Sequence, residues 1–240
     1  MANIKKAIAW TVATAGAICL AFGGAQAQHP LVKQRLQAWD NAAPPPSAAE
    51  IEPVVRQLLE GLYPLSPACA EGEIVLEDVR PATADRFIFR SVAMRQLKNG
   101  WFVETRLPSC DSEPVRFQVM QAGDGSLRAI RVNRGTSIAW DSLFVDTLPL
   151  AKLAAISALK RMGEDCSEDT QFALGATRVE ARGEDLSEDS FGIRYSGSWA
   201  EVWPLVGCEH RVDILIEFTA DGDGGAYTNI PGDRVEVAVR

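Results

Sequence analysis

The chain has 240 residues, with 24 Lys and Arg against 32 Asp and Glu, and therefore a formal net charge of −8 at pH 7. An acidic chain without a basic cluster is a poor candidate for binding nucleic acid or anionic lipid, so we expect neither as a partner. The length allows one large domain or two small ones.

The first 27 residues have the pattern of a signal peptide. Lys5 and Lys6 form a short positive region, residues 7–22 are almost entirely apolar, and Ala25-Gln26-Ala27 supplies a small-x-small cleavage pattern. The apolar run is shorter than the roughly 20 residues that span a bilayer. We therefore expect cleavage after Ala27, a periplasmic or secreted location, and no later segment apolar enough to span a membrane.

Residues 28–46 are expected to form a short helix and a proline-rich linker. Val32, Leu36 and Trp39 lie at helical spacing, and three prolines follow at residues 44–46. Because successive prolines make a stiff spacer, this helix either docks on the rest of the protein or forms a separate arm.

Four cysteines remain after cleavage, in two pairs of matched spacing. Cys69 and Cys110 are 41 residues apart, and Cys166 and Cys208 are 42 apart. An even number of cysteines in an oxidising compartment indicates disulfides, and the matched spacing favours pairing Cys69 with Cys110 and Cys166 with Cys208. The spacings are unlike those of a zinc site, and we expect neither a metal nor a cofactor.

Other features recur at the same distance from these cysteines. A tryptophan stands nine residues before the second cysteine of each pair, with a glycine just upstream, and an Asp/Gly-rich turn follows it. The matched residues are Trp101 and Gly100 in the first copy and Trp199 and Gly197 in the second. This internal repeat predicts a first module over residues 47–145 and a second over residues 146–240.

Each module is predicted to begin with an amphipathic helix. Pro53 and Pro149 each open a stretch with apolar residues at helical spacing, and proline is tolerated at the first helical position. Ser47 and Glu50 also have the pattern of a capping box, which would start the first helix earlier and place Pro53 in its second turn. We expect the main helix from about Pro53.

After each helix the pattern is that of antiparallel strands. Lys98-Asn99-Gly100 has the composition of a hairpin turn. The predicted strands cover residues 86–97, 101–107 and 115–119 in the first module and 172–181, 191–195, 199–203 and 212–218 in the second. The predicted fold class is α+β, with two tandem modules, each a helix packed on an antiparallel β-meander with one disulfide.

The second module carries an aromatic-Glu-aromatic strand, Trp199-Ala200-Glu201-Val202-Trp203, followed by Cys208, the alternating strand over residues 212–218 and the Asp/Gly turn over residues 221–225. With these features it resembles secreted proteobacterial proteins to which no activity is assigned. The resemblance implies export but no reaction. Those proteins often have glycine directly after the cysteine, where this chain has Asp111 and Glu209.

Glu201 is the first candidate for a functional side chain. Alternation places it on the same sheet face as Trp199 and Trp203, where a carboxylate between indoles can hydrogen-bond a sugar or act as an acid or base. The alternative is a carboxylate that pairs with an arginine across strands while the indoles belong to the core. Trp101, the counterpart in the first module, completes the set of predicted binding residues.

No residue set has the pattern of a catalytic or calcium site. His29 stands near the new N-terminus, and His210, which we expect to face solvent, has no serine motif to serve. An EF-hand-like loop from Asp221 would need oxygen ligands where Gly225 and Gly232 stand, so these glycines favour a hairpin turn.

The sequence therefore favours a non-enzymatic, exported binding or accessory protein. Its expected partner is another protein or a cell-envelope component. The alternative is a cell-envelope enzyme, possibly directed at glycans, that uses Glu201 as its acid or base.

Overall fold

The computed structural model describes residues 30–60, 72–109, 111–167 and 170–239. Within these ranges the protein has four α-helices and one mixed sheet of ten strands, which confirms the α+β class. The predicted signal peptide and the predicted Cys69–Cys110 disulfide lie outside the described residues.

Each half of the chain begins with helix and continues mainly as strands, except that the short helix α3 follows β1 in the first half. The first half contains α1 (Pro30–Ala42), α2 (Ala48–Glu60), β1 (Val75–Pro81), α3 (Arg86–Ala93), β2 (Leu97–Leu107), β3 (Asp111–Ala122) and β4 (Leu127–Gly135). The second contains α4 (Asp141–Arg161), β5 (Ala173–Leu174), β6 (Ala176–Arg182), β7 (Ser198–Gly207), β8 (His210–Ala220), β9 (Ala226–Asn229), a 3₁₀ turn (Gly232–Arg234) and β10 (Val235–Val239).

The sheet is continuous through both halves. Its strand order is β1-β2-β3-β4-β6-β7-β8-β10, with β5 paired to β7 and β9 paired to β8. Neighbouring strands are antiparallel except β4 and β6, which pair in parallel where Arg134 and Gly135 lie beside Ala176 and Thr177. Two tandem modules are therefore not confirmed, and the predicted boundary after residue 145 lies inside α4.

Two hydrophobic cores hold the sheet and helices together. Helix α2 covers one face of the first half, where Ile51 and Val55 pack with Trp101 and Phe117. The other core lies under α4 and combines residues of both halves, including Ile88 and Phe102 from the first half and Trp199, Trp203 and Phe218 from the second. The second core therefore belongs to neither half alone.

Helices α2 and α4 begin earlier than Pro53 and Pro149 predict. Glu50 Oε2 accepts the N–H of Ser47 at 2.9 Å and the hydroxyl of Ser47 at 2.7 Å, so the capping box starts α2 at Ala48. Pro53 then lies inside the helix. Helix α4 likewise starts at Asp141, eight residues ahead of Pro149. The expectation that proline opens each helix is wrong.

Residues 86–97 were predicted as a strand, but most of them form helix α3. Asp85 caps this helix by accepting the N–H of Phe87 at 2.9 Å, and Ile88 and Val92 are buried one turn apart. The predicted turn at Lys98-Asn99-Gly100 is also wrong, because these residues lie within β2. Strand β1 instead supplies the antiparallel neighbour of β2.

Predictions for the second half are closer to the structure. The strands over residues 199–203 and 212–218 lie within β7 and β8, whereas the strand over 172–181 is divided into β5 and β6. Residues 191–195 are not a strand and contribute only a bridge between Ser190 and Ile193. The Cys166–Cys208 disulfide is confirmed, with Cα atoms 6.2 Å apart. Closing a loop of this length stabilises a fold by about 4 kcal/mol in the chain-entropy model.

Helix α1 docks on the fold rather than forming a separate arm. Leu36 is fully buried, and the Trp39 ring lies 5.5 Å from the ring of Phe89 in α3. The Asp40 carboxylate accepts a hydrogen bond from the Asn99 side chain at 2.9 Å. The Asn99 side chain also donates to the Ala43 carbonyl, which fixes the start of the linker.

Helix α4 departs from the expectation that no later segment is apolar enough to span a membrane. By length and composition it is the one such helix among the described residues. Half of its apolar window is buried inside the protein, as in the core helix of a folded domain.

Candidate functional site

The four predicted binding residues are all core residues. Trp101, Trp199, Glu201 and Trp203 are each at most 3% exposed. Trp199 and Trp203 do flank Glu201 on one sheet face, whereas Trp101 lies in the core under α2. None of the four can contact an external ligand in this conformation.

The Glu201 carboxylate is fully occupied by internal hydrogen bonds. Its Oε1 accepts the N–H groups of Ile138 at 2.7 Å, Ala139 at 3.0 Å and the Trp199 indole at 3.0 Å. Its Oε2 accepts the Ser137 hydroxyl at 2.7 Å and the Trp203 indole at 2.8 Å. A carboxylate offers about four lone-pair sites, so five donors leave none for a substrate.

Arg116 holds the same chain segment from the opposite side. Its guanidinium donates to the carbonyls of Ser137 and Ala139, and it lies over the rings of Phe102 at 5.4 Å and Phe144 at 5.8 Å. Burial and the nearby Arg80 lower the pKa of Arg116 to about 10, so the side chain stays charged at neutral pH.

Together, Arg116, Glu201 and residues 137–139 form what we call the junction clamp. The segment over residues 137–139 connects β4 to α4 and thus joins the halves of the chain. Arg116 from the first half binds its carbonyls, and Glu201 from the second half binds its amides. Glu201 and Arg116 therefore bind the same backbone segment from different strands. This structural role is close to the alternative of a carboxylate that pairs with an arginine across strands.

The described residues form a cleft beside the start of α4 that is large enough for a ligand, which we call the α4 cleft. It has a volume of about 780 Å³ and lies between α1, α3, α4 and the β8–β9 hairpin. Leu36, Trp140 and Leu143 are buried and form an apolar floor. Leu150 and Tyr227 stand on the rim and are 48% and 73% exposed.

The rim of the α4 cleft is acidic. Asp146, Asp221 and Asp223 line it, and Arg86 is the only Lys or Arg among the described lining residues. Arg86 is already paired with Asp146, at 2.9 Å. The cleft therefore presents an excess of negative charge around an apolar floor.

The Asp/Gly segment on this rim is a turn, as its glycines predict. Asp221 Oδ1 accepts the N–H groups of Asp223 at 2.8 Å and Gly225 at 2.9 Å. Gly222 and Gly224 have φ of 89° and 100°, which glycine adopts without strain. Among the described residues there is no cluster of three or more potential metal ligands.

Two buried carboxylates lie just behind the cleft, and the sequence patterns did not single them out. Asp85 accepts the N–H of Ser142 at 2.9 Å as well as that of Phe87, and burial raises its pKa. Burial and the neighbouring Asp85 raise the pKa of Asp141 to about 6, against the opposing effect of Arg116. Such shifts also occur at active sites. Here Asp85 joins the first turn of α3 to that of α4.

His210 is buried rather than solvent-facing, because it lies on the inward face of β8 together with Val212. Its Nδ1 lies within hydrogen-bond distance of the Cys208 carbonyl, and its Nε2 is 3.7 Å from Glu164. These contacts hold His210 in the β7–β8 hairpin, next to the Cys166–Cys208 disulfide.

Comparison with known proteins adds no assignment. No family model, curated protein or solved structure matches the chain. The resemblance of the second half to secreted proteobacterial proteins stays a prediction. The α4 cleft, with its volume of about 780 Å³ and its acidic lining residues, is the feature on which a function can be proposed.

Proposed function

We propose that this protein is an exported, non-enzymatic binding or accessory protein that contacts another protein or a cell-envelope component through the α4 cleft. The cleft carries this proposal, since its volume of about 780 Å³ falls within the range of about 300–1,000 Å³ typical of ligand sites. Its buried apolar floor, and the exposed Leu150 and Tyr227 between the acidic residues of its rim, are typical of binding surfaces. The Cys166–Cys208 disulfide is compatible with an oxidising compartment.

A binding role is better supported than catalysis by the side chains that line the cleft. None of the described lining residues is a His, Cys or Lys. Asp221 is engaged in its turn, and Asp146 is paired with Arg86. The enzyme alternative depends on Glu201, whose two oxygens are occupied by internal donors.

The proposal is tested by a matched pair of substitutions on α4. Leu150→Arg places a long polar side chain on the cleft rim, whereas Leu153→Arg makes the same change one turn further along. Leu153 is 49% exposed, against 48% for Leu150, and does not line the cleft. Both variants should fold, because neither position belongs to the core.

Each protein is immobilised and exposed to a periplasmic extract and a solubilised envelope fraction, and the bound material is quantified by mass spectrometry. We expect a partner whose recovery falls about tenfold or more with Leu150→Arg but is unchanged with Leu153→Arg, because about 1.4 kcal/mol of lost contact has this effect. Equal loss in both variants would place binding on the exposed face of α4. If neither substitution changes the recovery of the bound partner, the α4 cleft is excluded as the binding site.

A further inference from the structure

The charges around the α4 cleft limit the chemistry of its ligand. Asp146, Asp221 and Asp223 line the opening. Arg86, the only Lys or Arg among the described lining residues, pairs with Asp146, so Asp221 and Asp223 are the carboxylates in excess. A site with surplus acidic groups attracts a cation and repels an anion, and low-dielectric walls strengthen both effects. The ligand is therefore expected to carry positive charge.

Aromatic side chains in the same cleft favour a cation attached to an apolar body. Phe89, Trp140, Tyr195 and Tyr227 all line it, and Tyr227 is 73% exposed. Lys and Arg side chains bind to aromatic faces through the ring quadrupole and pack their methylene stems on apolar surface. Carboxylates beside aromatic rings thus match a Lys or Arg side chain better than a simple inorganic cation.

A buried hydroxyl without a hydrogen-bond partner lies among the residues that line the cleft. Thr147 lines it and is only 1% exposed, and its Oγ1 has no hydrogen-bond partner. An unpaired buried hydroxyl costs roughly 1–3 kcal/mol. A polar ligand group reaches this hydroxyl only after neighbouring side chains move, because Oγ1 is inaccessible in this conformation.

We propose that the α4 cleft binds a peptide segment of a partner protein in which a Lys or Arg is flanked by aromatic or aliphatic residues. This inference rests on the proposed function and narrows it to one class of ligand. The cation lies between the rim carboxylates of Asp146, Asp221 and Asp223. The flanking apolar side chains pack on Leu143 and Leu150, within a volume that holds a few residues.

The test is selection from a phage-displayed random heptapeptide library on the full-length protein with its Cys166–Cys208 disulfide intact. We expect enrichment of Lys or Arg next to aromatic or aliphatic residues. The most enriched sequence is then synthesised and its Kd measured by calorimetry. Binding should weaken about tenfold in the triple variant Asp146→Asn, Asp221→Asn, Asp223→Asn, and also as salt is raised.

The matched control is the triple variant Asp124→Asn, Asp165→Asn, Asp233→Asn, which changes the net charge equally. These three residues are exposed and do not line the cleft. Asp124 is a close counterpart of Asp221, since its Oδ1 accepts the N–H of Ser126 in the β3–β4 turn. Asparagine retains an acceptor oxygen at both turns, so both variants should fold. The control should change the Kd less than about twofold.

The outcomes separate this inference from the proposed function. Peptides without basic residues whose binding is abolished by Leu150→Arg would overturn the charge preference and leave the cleft as a binding site. Equal weakening in both triple variants would mean general attraction to an acidic protein and would also overturn it. If neither a selected peptide nor a captured partner depends on Leu150, the proposed function fails as well.

Discussion

The hairpins β2–β3 and β7–β8 start from the same sequence pattern but have different surroundings. Each has a tryptophan nine residues before a cysteine, and each lies second and third in its half of the sheet. In the second hairpin, the indoles of Trp199 and Trp203 donate to Glu201. In the first, Trp101 Nε1 is buried without a hydrogen-bond partner.

The indole of Trp101 lacks an acceptor because Val103 stands two residues after it, where the second hairpin has Glu201. The first hairpin is also covered on both faces. Trp101 points into the core under α2, whereas its neighbour Phe102 belongs to the core under α4. Arg116 extends from β3 on that second face to the junction clamp. The sequence repeat therefore predicts two similar hairpins. It does not predict that the β2–β3 hairpin packs against the second half of the chain.

The largest effect is expected from removing the second hairpin's contribution to the junction clamp. Glu201→Ala removes one of the carboxylates near Arg116. It also leaves the amide of Ile138 and the indoles of Trp199 and Trp203 without their acceptor. Breaking a buried charged network in this way typically costs about 3–5 kcal/mol, and we expect the upper end. The free energy of unfolding is measured by urea denaturation with the disulfide intact.

Glu217→Ala is the control for this comparison. Glu217 lies on the adjacent strand β8, is exposed, and accepts a hydrogen bond from the Asn229 side chain. We expect a change below about 0.5 kcal/mol there. A Glu201→Ala protein as stable as the Glu217→Ala protein would show that the halves are held together without the clamp.

The matched glycines provide the next test, because the repeat treats them alike and the structure does not. Gly197 has a φ of 94°, and a Cβ there would lie 2.3 Å from Leu186 Cα, whereas a Cβ at Gly100 would lie 2.6 Å from the end of the Ile88 side chain. Gly197→Ala should cost about 3 kcal/mol from backbone strain and overlap, and Gly100→Ala about 1–3 kcal/mol from overpacking.

A second substitution separates these causes. Ile88→Val removes the Cδ1 atom that meets the new methyl group, so it should recover part of the stability of Gly100→Ala. No side-chain truncation should rescue Gly197→Ala. Gly123→Ala is the control, since nothing lies within 4 Å of a Cβ there. Rescue of both variants, or of neither, would contradict the assigned causes.

Local patterns predicted the elements that depend on local physics. Alternation over residues 199–203 and 212–218 identified β7 and β8, because a strand with one buried face alternates directly in sequence. The matched spacing identified the Cys166–Cys208 disulfide. For residues 86–97 the apolar run was too short to distinguish a strand from a helix, and Asp85 as an N-cap was the signal that could have decided it.

The site was less predictable because it is assembled from distant segments. The α4 cleft combines residues from α1, α3, α4, the loop around Ile193 and the β8–β9 hairpin. No window of sequence contains such a set. Glu201 was correctly placed between two indoles, but its burial depends on residues 137–139, some 60 positions away. Pairwise alternation cannot show which segment covers a sheet face.

Acidic residues near the starts of α2 and α4 should change the stability of the protein with pH in opposite directions. Asp141 at the start of α4 has its pKa raised to about 6 by burial and by Asp85, whereas hydrogen bonds from Ser47 lower the pKa of Glu50 in α2. Ionised Asp141 destabilises the folded state above pH 6. As the pH falls from 7 to 4, the folded state binds this proton before the unfolded state does, so stability rises.

Asp141→Asn should therefore stabilise the protein at pH 7.5 by about 1–2 kcal/mol, a value reduced to allow for partial solvent access. The gain should disappear towards pH 4. Glu50→Gln should show the opposite sign, with a loss at pH 7.5 that shrinks below the ordinary glutamate pKa and disappears as the pH falls through the lowered pKa of Glu50. Urea denaturation of the three proteins across this range measures both trends, and parallel curves for Asp141→Asn and wild type would contradict the first.

The smallest effect is expected at the two-residue loop between β7 and β8. Cys208 and Glu209 have φ of 51° and 61°, so both lie in the left-handed region, where a non-glycine residue costs about 1 kcal/mol. Glycine removes that strain but loses more entropy on folding, which offsets about 0.5–1 kcal/mol. Glu209→Gly should thus stabilise the protein by a few tenths of a kcal/mol, at most about 0.5.

Glu209→Ala separates the backbone effect from loss of the carboxylate, because alanine keeps the Cβ that makes this conformation costly. Glycine is the residue that a left-handed loop position favours, and Glu209 stands there in this chain. If Ala and Gly at position 209 raise the unfolding midpoint equally, the gain comes from losing the charge, and the backbone explanation is wrong.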